Sequence, residues 1–211
     1  MRRLRRNLRD YGRWVTLRKA AAQLFSAVYL ARDLRIYRMD LCWWEPQVAA
    51  AAGETGSLEY RFVGPQEEAI IRQIETMEEW LQDTVERRLQ QGALCLAALE
   101  RGTLAGFNLV SFGQVHIPLL RCTRRFRPDQ AWSEQISVDP RYRGQGTATQ
   151  LRYRVFAELQ RRGVRFFYGG TLAYNAASLA LARKVGFRQI AEVRYRRLLH
   201  RPRWRCVRLR P

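Results

Sequence analysis

Apolar and polar residues alternate in several short stretches, which is the pattern of half-buried β-strands. The clearest stretch is 135–138, in which the apolar Ile136 and Val138 alternate with polar residues. Pro140 ends this predicted strand, because proline has no N–H to donate to a sheet. Further on, apolar residues recur every four positions, as on the buried face of a helix: Leu151, Val155 and Leu159. The pattern predicts a strand, a turn and a helix, in that order.

Similar patterns predict the other elements. Further strands are expected over 34–41, 58–63, 164–168, 187–193 and 204–209. A hairpin is expected to join 94–99 to 104–112, and helices are expected over 69–81 and 83–89. A short helix should begin after Asn175, which can cap it, and end at Gly186. Residues 113–129 are predicted to form a long, partly irregular connection of the kind that often carries function.

The turn between the strand and the helix at 136–159 has two glycines, Gly144 and Gly146. Glycine lets the backbone approach a ligand closely, and the first N–H groups and the dipole of a helix attract an anion. The turn therefore predicts a phosphate cradle, and a plain turn without a ligand is the alternative.

Two segments together carry a resemblance to a known family. The first is an Arg-x-x-Gly-x-Gly turn at 141–146, and the second is an Asn-x-x-Ser-x-x-Leu-x-x-Lys-x-Gly-Phe string at 175–187. In this order, with strand-like segments between them, they resemble the GNAT family of N-acetyltransferases. The close match covers residues 131–190 and a looser match covers 58–200.

The resemblance implies a mixed, mostly antiparallel twisted α/β sheet flanked by helices, with acetyl-CoA as co-substrate. The turn would hold the pyrophosphate, and the helix after Asn175 would flank the pantetheine arm. The strand before the turn would part from its neighbour, so that an N–H of this strand polarises the thioester carbonyl. The implied CoA-binding residues are Ile136, Val138, Arg141, Arg143, Gly144, Gln145, Gly146, Thr147, Asn175 and Ser178.

The resemblance also suggests a catalytic residue. Acyl transfer to an amine needs a group that accepts the amine proton. Glu134 precedes Ile136 by two residues, and strand parity places both side chains on one face. The family often carries a carboxylate here, which implies that Glu134 is the base; an ion pair with a nearby arginine is the alternative.

One position departs from the family pattern. Many members carry a tyrosine after the leucine of the second motif, where it acts as general acid for the thiolate, and this chain has Ala182 there. Either water protonates the leaving thiolate, or activity is low or lost.

The chain is strongly basic at its two ends. Its 211 residues carry a formal net charge of +19, and only Lys19 and Lys184 are lysines. We expect residues 1–45 to form a basic amphipathic helical extension with a linking strand, and residues 58–211 to form the GNAT-like domain. The helix, within residues 1–30, would lie on an anionic membrane surface or pack on the domain. The basic run around Trp204 favours RNA contact or a charge-protected edge strand.

Cysteine and histidine spacing argues against a metal site, because no Cys-x-x-Cys pair occurs and the two histidines lie far apart. Cys95 lies in an apolar strand pattern and is predicted to be a core thiol. A reducing, cytoplasmic setting is the default, peripheral to the membrane if the amino-terminal helix binds lipid.

Two functional classes follow from the sequence. The first is an acetyl-CoA-dependent N-acetyltransferase that acts on a small-molecule or peptide amine, such as an amino sugar or an envelope-associated precursor. The second is a nucleic-acid- or ribosome-associated GNAT-fold protein, which either acetylates a protein or tRNA amine or is inactive. The acceptor would be held by variable loops, for which 43–57 and 113–129 are the candidates.

Overall fold

The computed structural model describes residues 29–45, 58–81, 84–199 and 201–209. Within these residues the β-strands are β1 (Tyr29–Asp40), β2 (Glu59–Phe62), β3 (Leu94–Glu100), β4 (Thr103–Ser111), β5 (Gln114–Ile117), β6 (Cys122–Arg125), β7 (Gln130–Val138), β8 (Phe166–Leu172), β9 (Arg188–Leu198) and β10 (Arg201–Arg208). The α-helices are α1 (Glu68–Met77), α2 (Val85–Gln90), α3 (Thr147–Arg161) and α4 (Ala176–Lys184). Short 3₁₀ turns lie at Leu41–Trp43, Glu79–Leu81 and Pro140–Tyr142.

Eight strands form one sheet in the order β10-β9-β1-β8-β7-β4-β3-β2. Strands β7 and β8 run parallel, and the other neighbours in this sheet run antiparallel. Helices cover both faces, so the predicted fold class, a mixed and mostly antiparallel α/β sheet, is confirmed. The basic helix was predicted within residues 1–30, of which 1–28 lie outside the described residues and Tyr29 and Leu30 belong to β1.

Alternation along β3 and β4 divides the core into two layers. Cys95 and Leu109 pack with α1 and α2 on one face, whereas Leu96 and Val110 pack with α3 on the other. Cys95 is buried as predicted, and burial raises the pKa of its thiol to about 12. A third cluster lies beneath the β5–β6 hairpin, where Val115 packs with Trp132.

The amino-terminal strand β1 lies in the interior of the sheet, between β8 and β9. Strand 34–41 was expected as a link, but β1 begins at Tyr29 and pairs with a neighbour on each side. It therefore belongs to the same sheet as the strands after residue 58, and the division of the chain at residues 45 and 58 stays a prediction.

Two further segments differ from or refine the sequence expectation. Residues 113–129 are more regular than expected, because β5 and β6 pair as a hairpin within them. Strand β10 pairs with β9 at the edge of the sheet and exposes its residues, as the edge-strand alternative states. The Trp204 indole N–H donates to the Leu120 carbonyl at 2.7 Å, which ties this edge to the segment between β5 and β6.

Candidate active site

The parallel strands β7 and β8 part halfway along their length. Their pairing runs from Gln130 opposite Phe166 to Ser133 opposite Gly169 and goes no further. A cavity of about 250 Å³ lies in the resulting opening, between both strands, α3, α4 and β1. The opening leaves one edge of β7, from Glu134 to Val138, without a strand partner among the described residues.

The main-chain direction of this free edge follows from one hydrogen bond. The Asp139 N–H donates to the Ala105 carbonyl of β4 at 2.8 Å. Main-chain groups of successive residues point to opposite sides of a strand, so the N–H groups of Val138 and Ile136 point away from β4. The Val138 carbonyl accepts from Arg143 Nε at 3.0 Å on that same side. Both N–H groups named from the sequence thus face the opening.

The glycine turn connects the open end of β7 to α3. Gly144 and Gly146 have φ values of +77° and +83°, in the left-handed region that glycine tolerates. A Cβ added to Gly144 would meet no atom within 4 Å, so the backbone there is open to a ligand. The main-chain N–H groups of residues 144–149 donate to no carbonyl of the described residues. The turn therefore fits a pyrophosphate, which helix amino-termini bind well.

Side chains of the turn mostly brace its backbone. Arg141 contacts Asp139 through Nε and Nη2, at 3.0 and 3.1 Å, which raises the pKa of Arg141 and lowers that of Asp139. Gln145 donates to the Arg141 carbonyl at 3.0 Å, and Thr147 donates to that of Tyr142 at 3.2 Å. The backbone, rather than these side chains, is thus the part of the turn most open to an anion.

Helix α4 forms a second wall of the cavity. The Asn175 carboxamide oxygen accepts from the Ser178 N–H at 3.1 Å and caps the helix, as predicted. Gly186 follows the helix with φ of +87°. Asn175, Ser178 and Ala182 all line the cavity, together with Ile136 of β7, the strand that runs on into the glycine turn.

Glu134 occupies a β-bulge in β7. Ser133 pairs with Val110 and Gln135 pairs with Leu109, so Glu134 is an extra residue with no partner on β4. The parity argument is therefore wrong, because a bulge interrupts the alternation of side chains. Glu134 contacts Arg88 of α2 and the Ser111 hydroxyl, whereas Ile136 packs in the cluster under α3.

The surroundings of Glu134 combine burial with an ion pair. Its side chain is 7% exposed and that of Arg88 is 21% exposed. The Arg88 guanidinium lies 5.4 Å from the centre of the Trp80 ring, and its pKa is lowered first by burial and then by Arg87. The ion-pair alternative is thus found, and the catalytic role stays a prediction.

A second cavity, of about 230 Å³, lies beyond Glu134 under the hairpin segment. It is lined by two tryptophans, Trp80 and Trp132, and by Ile117 and Leu119 from the 113–129 loop. Glu134 lines both cavities, so this residue lies between them. The 113–129 loop thus lines a cavity, and its role in holding the acceptor stays a prediction, whereas most of 43–57 lies outside the described residues.

Two cavity residues escaped the sequence reasoning. Tyr37 of β1 is buried and lines the first cavity, as Ala182 does, and the described residues offer its hydroxyl no hydrogen-bond partner. Burial raises the pKa of this phenol, against weaker effects of Arg183 and Arg35. Arg152 of α3 is buried at the floor of the same cavity. Neither residue lies in a motif, and only the arrangement of β1 and α3 brings them to the site.

Two negative findings concern the described part of the chain. It contains no group of three or more histidine, cysteine, aspartate or glutamate side chains that could hold a metal ion. None of its helices is long and apolar enough to cross a membrane.

A parallel strand pair that parts beside a turn with open N–H groups places this fold in the class of GNAT-like acyltransferase folds. The model of the Acetyltransferase (GNAT) family matches residues 59–187, which is more than half of the 211 residues. The chain therefore belongs to the GNAT acetyltransferase family.

Solved structures show the same fold at low sequence identity. A tandem GNAT protein from the clavulanic acid biosynthesis pathway is 17% identical with a TM-score of 0.60, covering 87% of this chain and 59% of its own. A GCN5-related N-acetyltransferase from Sphaerobacter thermophilus is 21% identical with a TM-score of 0.58, and the match covers 87% of this chain and 57% of that protein. An aminoglycoside N-acetyltransferase in complex with CoA is 22% identical with a TM-score of 0.50, and the match covers 62% of this chain and 92% of that protein.

The chain thus spans less than two thirds of the length of the first two of these proteins. None of the curated proteins matches the chain significantly.

Proposed function

We propose that this protein is an acetyl-CoA-dependent N-acetyltransferase that acts on the primary amine of a small molecule. The observation that carries the proposal is the position of Glu134 between two cavities, one of which lies beside the unpaired edge of β7, the strand that precedes the glycine turn. An amine in the second cavity and a thioester in the first would meet at this carboxylate.

The donor would be held largely by the backbone. The N–H groups of residues 144–149 would bind the pyrophosphate, and Asn175 and Ser178 would flank the pantetheine arm. The N–H groups of Ile136 and Val138 face the opening and would donate to the thioester carbonyl, where negative charge develops during attack. Gly144 would allow the close approach, while Arg143, Gln145 and Thr147 keep the turn in shape.

Proton transfer would use one residue on each side of the reacting carbon. Glu134 would accept the proton that the amine loses, directly or through water. Tyr37 would donate a proton to the leaving thiolate in place of the tyrosine that Ala182 replaces. Its raised pKa keeps the phenol protonated at neutral pH, as an acid must be.

The acceptor class is suggested by the walls of the second cavity. Trp80 and Trp132 offer flat apolar faces, which suit a sugar ring, and the nearby Glu134 suits an amine. One solved structure of similar fold is an aminoglycoside N-acetyltransferase, which supports an amino sugar as the acceptor class. Neither the comparisons nor the described residues support a membrane or RNA partner, and both stay predictions from net charge.

The test is a thiol-release assay with acetyl-CoA and a panel of amines that includes amino sugars, simple alkylamines and peptides. We expect acceptor-dependent release of CoA thiol and an acetylated product of the matching mass, with amino sugars the best acceptors. Release with none of the amines, from a protein that binds acetyl-CoA, would contradict the proposed acetyl transfer.

A further inference from the structure

Arg152 is a buried cation without an anionic partner in the described part of the chain. It is 9% exposed and lies on α3, facing the point where β7 and β8 part. Its Nη1 donates to the Ser133 hydroxyl at 2.8 Å and to the Asn108 carboxamide oxygen at 3.4 Å. The rings of Phe167 and Phe187 lie 5.5 and 5.7 Å from its guanidinium carbon. All four neighbours are uncharged.

Burying the Arg152 guanidinium without an anion costs free energy of folding, which a negatively charged ligand would offset. A buried charge is normally paired, and two neutral acceptors with two aromatic faces offset only part of the loss of hydration. Arg88 and Arg35, in contrast, contact Glu134 and Glu192. The Nε and Nη2 groups of Arg152 have no hydrogen-bond partner among the described residues. Burial lowers the pKa of Arg152 to about 9, so the group stays charged at neutral pH.

The position of Arg152 within the cavity indicates which part of a ligand it meets. Ser133, its closest partner, is the last residue of β7 that pairs with β8, so the guanidinium marks the closed end of the opening. The glycine turn lies at the other, open end, beyond Val138. A CoA thioester with its pyrophosphate on the turn would therefore point its acyl end toward Arg152.

We propose that the preferred donor is a CoA thioester whose acyl group ends in a carboxylate, of the succinyl or glutaryl type. The inference rests on the proposed transfer of an acyl group from CoA to an amine and changes one part of it, because acetyl-CoA would then be a poorer donor than the carboxylate-terminated thioester. Ile136, whose N–H faces the thioester carbonyl, lies three residues from Ser133, or about 10 Å along the strand. A succinyl or glutaryl group has two or three methylene groups between its thioester carbonyl and its carboxylate. Together with the length of the arginine side chain, these span the distance better than the single methylene of a malonyl group.

The chemistry of transfer is unchanged by the carboxylate. The amine nitrogen attacks the thioester carbon, the C–S bond breaks and an amide C–N bond forms. One proton leaves the nitrogen for Glu134 and the thiolate takes up one proton, so that CoA leaves as the thiol. The terminal carboxylate stays ionised on Arg152 and takes no part in bond changes.

The experiment compares two stable thioethers of CoA by titration calorimetry on the full-length protein. One carries a carboxypropyl group, which has the length of succinyl, and the other carries the corresponding primary amide, which has the same shape without the charge. A charge-assisted hydrogen bond should make the carboxylate bind about 10- to 100-fold more tightly than the amide. Equal binding, or tighter binding of the amide, would overturn the inference.

Two variants locate the effect. Arg152→Met should bring the ratio of the two dissociation constants close to one, whereas Arg154→Met, which removes an exposed arginine from the same helix, should keep the wild-type ratio. A ratio unchanged in a folded Arg152→Met protein would overturn the assignment. Should this variant fail to fold, the wild-type comparison decides alone.

The two proposals fail in different ways. If plain CoA binds but the carboxylate gives no advantage, only the donor inference is lost. If plain CoA does not bind at all, the proposed function is lost and the donor inference with it.

Discussion

A single extra residue in β7 decides where the candidate base points. Because Glu134 occupies the bulge, its carboxylate contacts Arg88 and Ser111, and the residue lines two cavities. The alternation of side chains along the sequence could not predict the face on which Glu134 lies, since a bulge depends on how β7 pairs with β4. The same Glu134 side chain forms the ion pair with Arg88 and is the candidate base. A substitution at this position is therefore needed to separate the two roles.

Replacing Glu134 by glutamine should lower the turnover number by about 10²–10⁴-fold, the usual contribution of one general base. The affinity for CoA should change little, because the glycine turn lies elsewhere. The matched control is Glu158→Gln. Glu158 is equally 7% exposed and contacts Arg161 and Arg162 at the far end of α3. Turnover is measured with the best acceptor, and melting temperature on the same samples. Equal turnover per folded molecule in the two variants would contradict the base.

Tyr37→Phe tests the proton donor of the leaving thiolate. Removing the hydroxyl should lower turnover by about 10²-fold at neutral pH, at unchanged CoA affinity. An acid works while it is protonated, and the pKa of Tyr37 lies above the ordinary 10.0. The wild-type rate that depends on the phenol should therefore fall only above pH 10, and this alkaline fall should vanish in the variant.

The control for this experiment is Tyr168→Phe, since Tyr168 lies on β8 but packs against Phe126 on the hairpin side of the sheet. An active Tyr37→Phe enzyme with an unaltered pH profile would leave water as the proton source.

At the scale of elements, the sequence predicts best what local patterns determine. The β3–β4 hairpin, α3 and the capped helix α4 all follow from periodicity, turn residues and caps. The second cavity could not be foreseen, because the β5–β6 hairpin that covers it is short and its partners are distant in sequence. The candidate CoA residues were found from motifs, whereas Tyr37 and Arg152 required the tertiary arrangement.

The cap of α4 makes a prediction about stability. This helix has nine residues and none of them is fully buried, so it depends strongly on its amino-terminal cap. Asn175→Ala should lower the free energy of unfolding by about 0.5–2 kcal/mol, because the Ser178 N–H loses its acceptor. Asn175→Asp keeps an acceptor at the cap and should retain most of the stability. Urea denaturation of both variants checks this, and equal loss in both would show that capping is not the cause.

At the scale of the whole molecule, the amino-terminal strand β1 lies between two strands from the carboxy-terminal part of the chain. This strand pairs with β8 and β9, so among the described residues β9 and β10 are hydrogen-bonded into the rest of the sheet through β1 alone. The candidate active site depends on β1 as well, because Tyr37 of β1 lines the first cavity. No pattern within β1 indicates this position, since pairing between distant segments leaves no local signature.

Truncation tests this arrangement. Removal of residues 1–28 should leave the melting temperature and CoA binding nearly unchanged, because β1 begins at Tyr29. Removal of residues 1–40 deletes a central strand and should abolish cooperative thermal unfolding, measured by circular dichroism. A cooperatively folded 1–40 deletion would contradict the position of β1.

The shorter truncation also tests the membrane prediction. Residues 1–28 contain a large share of the net charge of +19, so their removal should reduce retention on anionic liposomes. Added salt should weaken retention of the full chain, because screening reduces attraction between exposed charges. Identical partitioning of the two proteins would instead favour packing of this segment on the domain.

The central claim is that the glycine turn binds the pyrophosphate of an acyl-CoA through its backbone, and CoA titration calorimetry tests it most directly. The comparison is between wild type, Gly144→Val and Gly163→Val. Gly163 follows the other end of α3 with φ of +75°, close to the +77° of Gly144, and both have open space around an added Cβ. The backbone strain of the two substitutions is therefore matched.

We expect wild type and Gly163→Val to bind CoA with dissociation constants within about twofold of each other. Gly144→Val should bind at least about tenfold more weakly, since loss of one charge-assisted hydrogen bond already gives that factor. Equal CoA affinity in a folded Gly144→Val protein, or no binding by wild type, would contradict the account.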